Sequence, residues 1–372
     1  MTEIKFVDLS ISLEDLNRII NCIKPIFEKG SFILDDIVLE FEKELSNYCG
    51  TQYTVTVNSG TDAIFLVLKA LDIGPGDEVI TVANTFIATV GAIVATGAKP
   101  ILVDVEYDTQ LIDSKEVEKN ITERTKAVIP VHLAGLCCNM DPILELADKY
   151  NLFVIEDAAQ AIGAIYKGKM AGSMGVAGCF SLNPLKNLGG IGDGGAIITN
   201  AEWLYHKLIL LRNHGLFNRD KLKMWGYNSR LDSINAAVLL FRLKKLDIVI
   251  RKKHKLALLY YDLLKDLKYK SYIDFYIPKD ISTHVYHLFM IKCLQRNKLY
   301  NYLRQHSVDV RIHYPIPINK QYVFISKYGY IKLKNTELLA EQIISLPIHS
   351  KLLSHDIEKI CDLIYKFYEE FN

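Results

Sequence analysis

The sequence predicts an α/β fold in which a mostly parallel central sheet is covered by helices on both faces. From about residue 51, short runs rich in β-branched residues alternate with helical patterns, as in chains built from strand–helix–strand units. Several of these runs are apolar on both faces, which is typical of strands buried between two helical layers. The length of 372 residues is sufficient for about two domains.

The predicted elements of the first part of the chain follow one another closely. In chain order they are TQYTVTV (51–57), the helical DAIFLVLKAL (62–71), DEVITV (77–82), AIVATG (92–97), KPILVDV (99–105), KAVIPVHL (126–133), the helical DPILELADKY (141–150), LFVIEDAA (152–159), GCFSLN (178–183) and GAIITN (195–200). The runs that are not marked as helical are interpreted as strands of one sheet.

The character of the sequence changes near residue 230. A helical pattern over 233–264 is interpreted as one helix that links two domains. The elements expected beyond it are the strands HLFMIKCL (287–294) and VDVRIHY (308–314), the helix LYNYLRQH (299–306) between them, and a terminal helix from about His355. We therefore predict a large α/β domain over 1–240, with an N-terminal helical segment, and a smaller α+β domain over 241–372.

The composition is that of an ordinary soluble globular protein, with a mean hydropathy of +0.12. A net charge of +1, from 44 Lys+Arg and 43 Asp+Glu, provides no broad cationic surface, so nucleic acid is not an expected partner. The acidic N-terminal residues argue against a secretory signal, and no apolar run approaches the ~20 residues of a membrane span. Seven cysteines without a C-x-x-C pair favour a reducing cytoplasm and no metal site.

Ser59, Gly60 and Thr61 follow a predicted strand and open a predicted helix. The free backbone N–H groups of such a helix start can bind a phosphate, and small residues permit its close approach. A plain helix cap is the alternative interpretation, because Ser and Thr are common N-cap residues.

Two charged segments are candidates for chemistry. Glu156 and Asp157 end an apolar strand, and ligands bind at such strand ends in open α/β sheets. A buried acid at this position requires a cationic partner. The alternative interpretation is that it caps a helix. Lys186 lies in SLNPLKNLGGIGDGG (181–195), and no carboxylate within three residues is available to pair with its charge. A lysine in this position can be a nucleophile, although most lysines are solvated surface residues. The glycines are not a dinucleotide fingerprint, because a strand follows them.

Eight collinear motifs together resemble the sugar aminotransferase family DegT/DnrJ/EryC1/StrS, which are fold-type I enzymes that use pyridoxal 5′-phosphate (PLP). The motifs are NSGTDAI (58–64), PGDEVITVANTFIAT (75–89), VIPVHLAGLCCNMDPI (128–143), VIEDAAQAIGA (154–164), FSLNPLKNLGGIGDGGAIITN (180–200), LRNHG (211–215), GYNSRLDSINAAVL (226–239) and SLPIH (345–349). The resemblance implies the PLP-dependent transferase (aspartate aminotransferase-like) fold.

The resemblance also implies roles for individual residues. Lys186 would carry PLP as a Schiff base, and Asp157 would bond the pyridine nitrogen and keep it protonated. The other implied cofactor contacts are Gln160 at the ring hydroxyl, Phe86 on the ring face, Gly60, Thr61 and Ser181 at the phosphate, and Asn228 at the phosphate of the neighbouring subunit. That last contact implies a homodimer with shared active sites.

The implied reaction moves an amino group from an amino acid, for which L-glutamate is expected, to a nucleotide-linked keto sugar, as in deoxysugar synthesis for O-antigen or S-layer glycans. Lys186, once released from the cofactor, would shuttle the proton between Cα of the amino acid and the cofactor carbon. The residues in segments similar to substrate-facing parts of the family are Asn183, Arg230, His313 and Tyr314. The GDGG after the lysine resembles members that aminate C3, so a dTDP-3-keto-6-deoxyhexose is the preferred substrate.

Two positions depart from the family pattern, which puts the shape of the sugar pocket in question. Asn183 stands where the family often has an aromatic residue or His, and Leu185 stands where it often has Gly. The alternative functions are a C4 aminotransferase for a dTDP-, UDP- or GDP-4-keto sugar, an aminotransferase for another keto substrate such as an aminocyclitol precursor, and a non-catalytic regulator that binds PLP or a sugar nucleotide. A related dehydratase branch has His in place of the reactive lysine, so Lys186 argues against that activity.

Overall fold

The computed structural model describes residues 3–370. The α-helices are α1 (Leu13–Lys29), α2 (Asp36–Cys49), α3 (Gly60–Ala70), α4 (Ile87–Thr96), α5 (Ser114–Lys119), α6 (Met140–Tyr150), α7 (Glu202–Arg212), α8 (Ser233–Leu243), α9 (Leu246–Tyr269), α10 (Arg296–Gln305), α11 (Tyr322–Tyr328), α12 (Lys334–Gln342) and α13 (Ser354–Glu370). Short 3₁₀ turns lie at Leu133–Gly135, Ile281–Thr283 and Ile318–Lys320.

The strands alternate with these helices over the first part of the chain. They are β1 (Tyr53–Val57), β2 (Glu78–Val82), β3 (Lys99–Val103), β4 (Thr125–Val128), β5 (Phe153–Asp157), β6 (Ile165–Tyr166), β7 (Lys169–Met170), β8 (Ala177–Ser181), β9 (Gly195–Thr199), β10 (Leu216–Asn218), β11 (Lys221–Leu222), β12 (Ile273–Asp274), β13 (Phe289–Cys293) and β14 (Ile343–Leu346).

The largest sheet has seven strands in the order β1-β9-β8-β5-β4-β2-β3. Only β9 among these strands runs against its neighbours, and the other strands are parallel to one another. The predicted mostly parallel sheet is therefore confirmed. Because parallel strands end at the same edge of a sheet, the segments that follow β1, β2, β5 and β8 meet there.

Helices cover both faces of this sheet. Apolar side chains of α3, α4 and α7 pack on one face, and those of α2, α6 and α8 pack on the other. Successive residues of β2 illustrate the alternation, because Val79 joins the first cluster and Ile80 joins the opposite one. Both faces are buried, which explains why the strands read as continuous apolar runs.

The C-terminal part of the chain has an apolar cluster of its own. The antiparallel sheet β12-β13-β14 packs there against α9, α10 and α13, with Tyr260, Phe289 and Phe367 fully enclosed. The domain boundary predicted near residue 240 falls within α8 and stays a prediction. None of the helices in residues 3–370 combines the length and the apolar character that a membrane crossing requires. All seven cysteines are free, and of these Cys22 alone is exposed.

Three of the predicted elements are wrong in type or extent. AIVATG (92–97) is the end of helix α4 rather than a strand, because an apolar run this short has the same appearance in a buried helix and a buried strand. The single helix predicted over 233–264 is two helices, α8 and α9, separated at Lys244 and Lys245. The break contains no Gly or Pro. It allows both Leu243 and Leu246 to be buried.

The segment VDVRIHY (308–314) is also not a regular strand. It pairs only through isolated bridges, from Val308 to Ile4 and from Arg311 to Ser345. Val308 and Val310 are buried, so the alternating pattern reports burial correctly but not a continuous ladder of hydrogen bonds. Helices α11 and α12 follow this segment and were not predicted from the sequence.

Candidate active site

Most of the predicted site residues lie at the edge of the sheet where the parallel strands end. Asp157 is the last residue of β5, Ser181 is the last residue of β8, and Lys186 follows in the loop after β8. Gly60 begins α3 directly after β1, and Phe86 precedes α4 after β2. This edge is the usual ligand site of an open α/β sheet.

The carboxyl group of Asp157 is buried, with 6% of the residue exposed. Thr89 Oγ1 donates a hydrogen bond to Oδ2 at 2.7 Å, and the backbone N–H of Ala159 donates to Oδ1 at 3.2 Å. Burial raises the pKa of Asp157, while these two hydrogen bonds and the charge of Lys186 act in the opposite direction. An ionised Asp157 is therefore best stabilised by a further cationic group.

The neighbouring Glu156 has a different task, because it points to the other side of the strand and is fully buried. Its carboxylate accepts hydrogen bonds from the backbone N–H groups of Gly172, Met174 and Gly175 and from His132 Nε2 at 2.9 Å. His132 Nδ1 accepts from the N–H of Cys138, which places the ring proton on Nε2. Glu156 thus fixes the segments around Asp157 and has no free oxygen for a ligand.

Lys186 lies in a short loop whose backbone is fixed by hydrogen bonds. Its N–H donates to the carbonyl of Asn183 at 2.9 Å, and the N–H of Gly190 donates to the carbonyl of Leu182 at 2.7 Å. Burial lowers the pKa of Lys186, and the nearby carboxylate of Asp157 partly offsets this effect. Among residues 3–370, no side chain forms a hydrogen bond with the Lys186 ammonium, so it is available for chemistry.

Gln160, Tyr314 and Phe86 form one side of the site. Gln160 Oε1 accepts a hydrogen bond from the N–H of Ala134 at 2.7 Å, and Gln160 Nε2 donates to the hydroxyl of Tyr314 at 3.4 Å. The ring of Phe86 lies 6.2 Å from the ring of Tyr314 and is 57% exposed. An aromatic face that open can stack on a planar ligand.

Gly60 and Ser181 are in direct proximity at the start of α3. A Cβ atom on Gly60 would stand 2.8 Å from Ser181 Cβ, so only glycine permits this approach. Ser59 caps the helix by accepting from the N–H of Asp62 at 3.1 Å, which leaves the first N–H groups of the helix, at Gly60 and Thr61, without intrahelical partners. The cap and the anion site predicted from this segment coexist.

Asn228 and Arg230 lie in a separate loop. Asn228 is exposed, and its backbone bridges Asn213. Arg230 Nη1 donates to Asn213 Oδ1 at 3.1 Å, whereas its buried Nε has no partner within the part of the chain that is described. Among the described residues, no hydrogen bond joins the Asn228 side chain to the groups around Lys186, so the chain does not bring Asn228 to that cluster by its own contacts.

The other residues predicted to face the substrate, His313 and Asn183, lie near Lys186. His313 Nδ1 shares a hydrogen bond with Ser345 Oγ at 2.9 Å, and burial together with the charge of Lys186 lowers the pKa of His313 to about 4. Asn183 Nδ2 donates to Asp193 Oδ1 at 2.8 Å, and Leu185 is 55% exposed beside it. These two residues form an open rim at the lysine loop.

Two residues of the site received no role from the sequence, namely Thr89 and His132. Each lies within a segment that carries the family resemblance, and each is buried. Their polar character in apolar surroundings was the available signal, since buried polar groups are retained where they have hydrogen-bond partners.

Residues 14–365 match the DegT/DnrJ/EryC1/StrS aminotransferase family. A dTDP-3-amino-3,6-dideoxy-alpha-D-galactopyranose transaminase from Aneurinibacillus thermoaerophilus is 39% identical over 98% of this chain and 99% of its own. A pleiotropic regulatory protein from Geobacillus stearothermophilus is 38% identical over 99% of each chain.

A solved structure has the same fold as this chain. The structure of S. venezuelae DesV in complex with a ketimine intermediate has a TM-score of 0.94 and 37% identity, and the match covers 99% of each chain. The agreement extends over the large sheet and the C-terminal part alike. The chain therefore belongs to the DegT/DnrJ/EryC1/StrS family and is a PLP-dependent aminotransferase.

Proposed function

We propose that this enzyme transfers an amino group from L-glutamate to C3 of a dTDP-linked 3-keto-6-deoxyhexose. The observation that carries the proposal is the Lys186 ammonium, half-buried and free of hydrogen-bond partners among the described residues, within electrostatic reach of the buried Asp157. The choice of C3 is supported by Asp193 in the GDGG segment and by the name of the A. thermoaerophilus relative, a 3-amino-3,6-dideoxy sugar transaminase.

The residues at the sheet edge fit PLP. Gly60 and Thr61 offer unpaired backbone N–H groups at the positive end of α3, beside the hydroxyl-bearing Ser181, which suits a phosphate. Phe86 offers an open ring face, and Asp157 requires a cation. When bound, PLP supplies an electron-accepting ring.

Asp157 and Lys186 would perform the proton chemistry. Asp157, oriented by Thr89, would accept a hydrogen bond from the protonated ring nitrogen and keep that proton in place. Because burial lowers the pKa of Lys186, a larger share of its side chain is the neutral amine near pH 7, which is the nucleophilic and basic form. Lys186 would then take the proton from Cα of the amino donor and return one to the acceptor carbon.

The substrate would occupy the side of Lys186 that His313 and Tyr314 border. His313 is a neutral imidazole at pH 7, because burial and the charge of Lys186 lower its pKa to about 4, so it can orient a sugar hydroxyl without adding charge. Gln160, which contacts the Tyr314 hydroxyl, would reach the ring hydroxyl of the cofactor. Asn183 and Arg230 complete the proposed set of substrate contacts.

The proposed enzyme is a homodimer with shared active sites. Asn228 is exposed and lies three residues from Trp225, which is 88% exposed, so this loop presents both polar and apolar groups to a second chain. Asn228 would contact the phosphate held by Gly60 and Thr61 of the other subunit. We place the enzyme in the cytoplasm, where its amino sugar would serve synthesis of glycans such as O antigen or S layer.

The test is a substrate panel. Purified enzyme with PLP and L-glutamate is incubated with 3-keto and 4-keto sugars linked to dTDP, UDP and GDP, and the product NMR spectrum locates the nitrogen. The proposal predicts an amine at C3 of a dTDP-6-deoxyhexose, and Lys186→Ala is the control without transfer. Nitrogen at C4 would establish the C4 alternative instead, and ligand binding without transfer from any amino acid would contradict the proposed reaction.

A further inference from the structure

We infer that Lys253 is a positioning residue of the active site, which acts through Asn187 to hold the loop that carries Lys186. We call residues 182–190 the lysine loop. The inference rests on the proposed function, because it assigns Lys253 a part in placing the lysine that is proposed to react.

Lys253 lies in α9 and is almost completely buried, with 7% of the residue exposed. Its ammonium donates to Asn187 Oδ1 at 2.7 Å and to the carbonyl of Tyr286 at 3.1 Å. No carboxylate of the described residues forms an ion pair with it, and burial lowers the pKa of Lys253 to about 7. A buried ammonium without a counter-ion is costly, whereas an apolar side chain of equal length would fill the same space. What the lysine adds is its pair of hydrogen bonds.

Asn187 is held by these hydrogen bonds, and it restricts the position of the preceding residue, Lys186. Its Nδ2 donates to the carbonyl of Val285 at 3.1 Å while its Oδ1 accepts from Lys253. The opposite orientation of the amide would direct an NH₂ group at the ammonium, so only one orientation satisfies both neighbours. The side chain of Asn187 is thus fixed between α9 and residues 285–286.

Residues 285–288 also support the opposite wall of the site. The N–H of Val285 donates to the carbonyl of Gly135 at 2.9 Å, and the N–H of Leu288 donates to the carbonyl of Ala134 at 3.2 Å. Ala134 in turn donates to Gln160 Oε1 at 2.7 Å. The packing here is close, since a Cβ on Gly135 would lie 2.9 Å from the carbonyl of Gln160.

Lys253 therefore lies at the junction of two hydrogen-bonded paths. One path leads through Asn187 to Lys186, and the other leads through residues 285–286 to Ala134 and Gln160. Removal of the ammonium leaves Asn187 Oδ1 without its donor and frees the lysine loop from α9. A displacement of the reacting amine by about 1 Å is enough to reduce a rate by about 10²-fold.

The first experiment compares Lys253→Met with the matched control Lys252→Met, an exposed lysine on the same helix. Hydrogen exchange of the apo-protein reports the lysine loop, and the absorbance change on adding PLP reports imine formation. For Lys253→Met we expect about tenfold faster exchange in the lysine loop and about 10- to 100-fold slower imine formation. Lys252→Met should match the wild type, and Lys253→Arg, which keeps the donors, should recover most of both losses.

The second experiment tests the route through Asn187. Asn187→Ala should reproduce both effects, and the combined effect in the double variant with Lys253→Met should be clearly smaller than the product of the two single effects, because both changes remove the same Lys253–Asn187 hydrogen bond. The inference would be overturned if the effects of the two single variants multiplied in the double variant. It would also be overturned if hydrogen exchange of the lysine loop in Lys253→Met stayed within about twofold of the wild-type rate. If Lys253→Met does not fold, wild-type loop exchange in Asn187→Ala overturns it equally. If the wild-type protein forms no imine with PLP, the proposed function is contradicted. Hydrogen exchange of the lysine loop would still test the role of Lys253 in that case.

Discussion

The two ends of the cofactor site are built in different ways. At the ring end, Asp157 is buried, Thr89 and Ala159 fix its carboxylate, and Lys186 shares its electrostatic environment. At the proposed phosphate end, Thr61 is exposed and the donors are backbone groups of a helix start; Asn228, proposed to reach this end from a second subunit, is also exposed. A single chain therefore supplies both residues of the proposed acid–base end, whereas the proposed phosphate end is exposed, as the proposal of a second subunit requires.

The difference has a physical consequence for the effect of mutations. Electrostatic interactions are strong in a buried, water-poor region and weak at an exposed one, where water and salt screen them. Changes at the ring end should therefore act on the reaction rate, and changes at the phosphate end should act on cofactor affinity.

The largest effect is expected at Lys186. Lys186→Ala removes the only amine proposed to react with PLP and to transfer the proton, so kcat should fall by about 10³-fold or more. Stopped-flow and steady-state assays with glutamate as donor measure this loss, and the exposed-lysine variant Lys252→Met is the control. Amino transfer by Lys186→Ala at the wild-type rate would refute its assigned role.

Asp157 should give the next largest effect. Asp157→Asn keeps the size of the side chain but removes the charge that would hold the ring proton, so kcat should fall by about 10²- to 10³-fold with PLP still bound. The absorbance spectrum of the loaded variant separates this loss from a loss of cofactor. A variant that retains wild-type kcat would show that the buried carboxylate has a structural task only.

Asn228 tests whether the phosphate end is shared between subunits. Asn228→Ala should weaken PLP affinity by about tenfold, since a polar contact to phosphate is worth roughly 1.5 kcal/mol. Hybrid dimers of Asn228→Ala and Lys186→Ala subunits should regain one site of wild-type affinity, because the Asn228 of the Lys186→Ala subunit completes the site that still contains lysine. Hybrids without such a site would contradict a shared phosphate end.

The smallest effect concerns the pH dependence of stability. Burial lowers the pKa of His284, in the wall next to Gly135, to about 3, whereas its value in the unfolded chain is about 6.5. Between these values the unfolded chain binds a proton that the folded chain excludes, so stability falls as the pH drops below about 6.5. His284→Asn should show a shallower decrease of Tm between pH 6.5 and 4.5; an unchanged slope would mean that this histidine does not contribute.

The sequence predicted the sheet, and the family resemblance supplied the candidate site residues, but neither indicated the polar groups that support those residues. The roles of Asp157 and Lys186 came from the family resemblance, because the local pattern alone left a helix cap and a solvated lysine as alternatives. The roles of Thr89 and Lys253 were not accessible to prediction, since they depend on contacts between residues 68 and 66 positions apart. Hydrophobic patterning identifies which residues are buried but not which distant polar group meets them.

The errors in the fold have the same origin. The break between α8 and α9 carries no Gly or Pro, and it is stabilised by tertiary contacts, including the ion pair of Lys245 with Asp15 of α1. The segment 308–314 shows the alternation of a strand but meets only single partners at Ile4 and Ser345. In both cases the local pattern is correct and the distant partner decides the outcome.

Reduction of the PLP-loaded enzyme with borohydride, followed by peptide mass mapping, tests the central claim most directly. We predict one cofactor-derived mass addition per chain, on the peptide that contains Lys186, and loss of that addition when glutamate converts the cofactor to its amine form beforehand. Addition at Lys253 or at any other lysine, or labelling that glutamate leaves unchanged, would contradict the account.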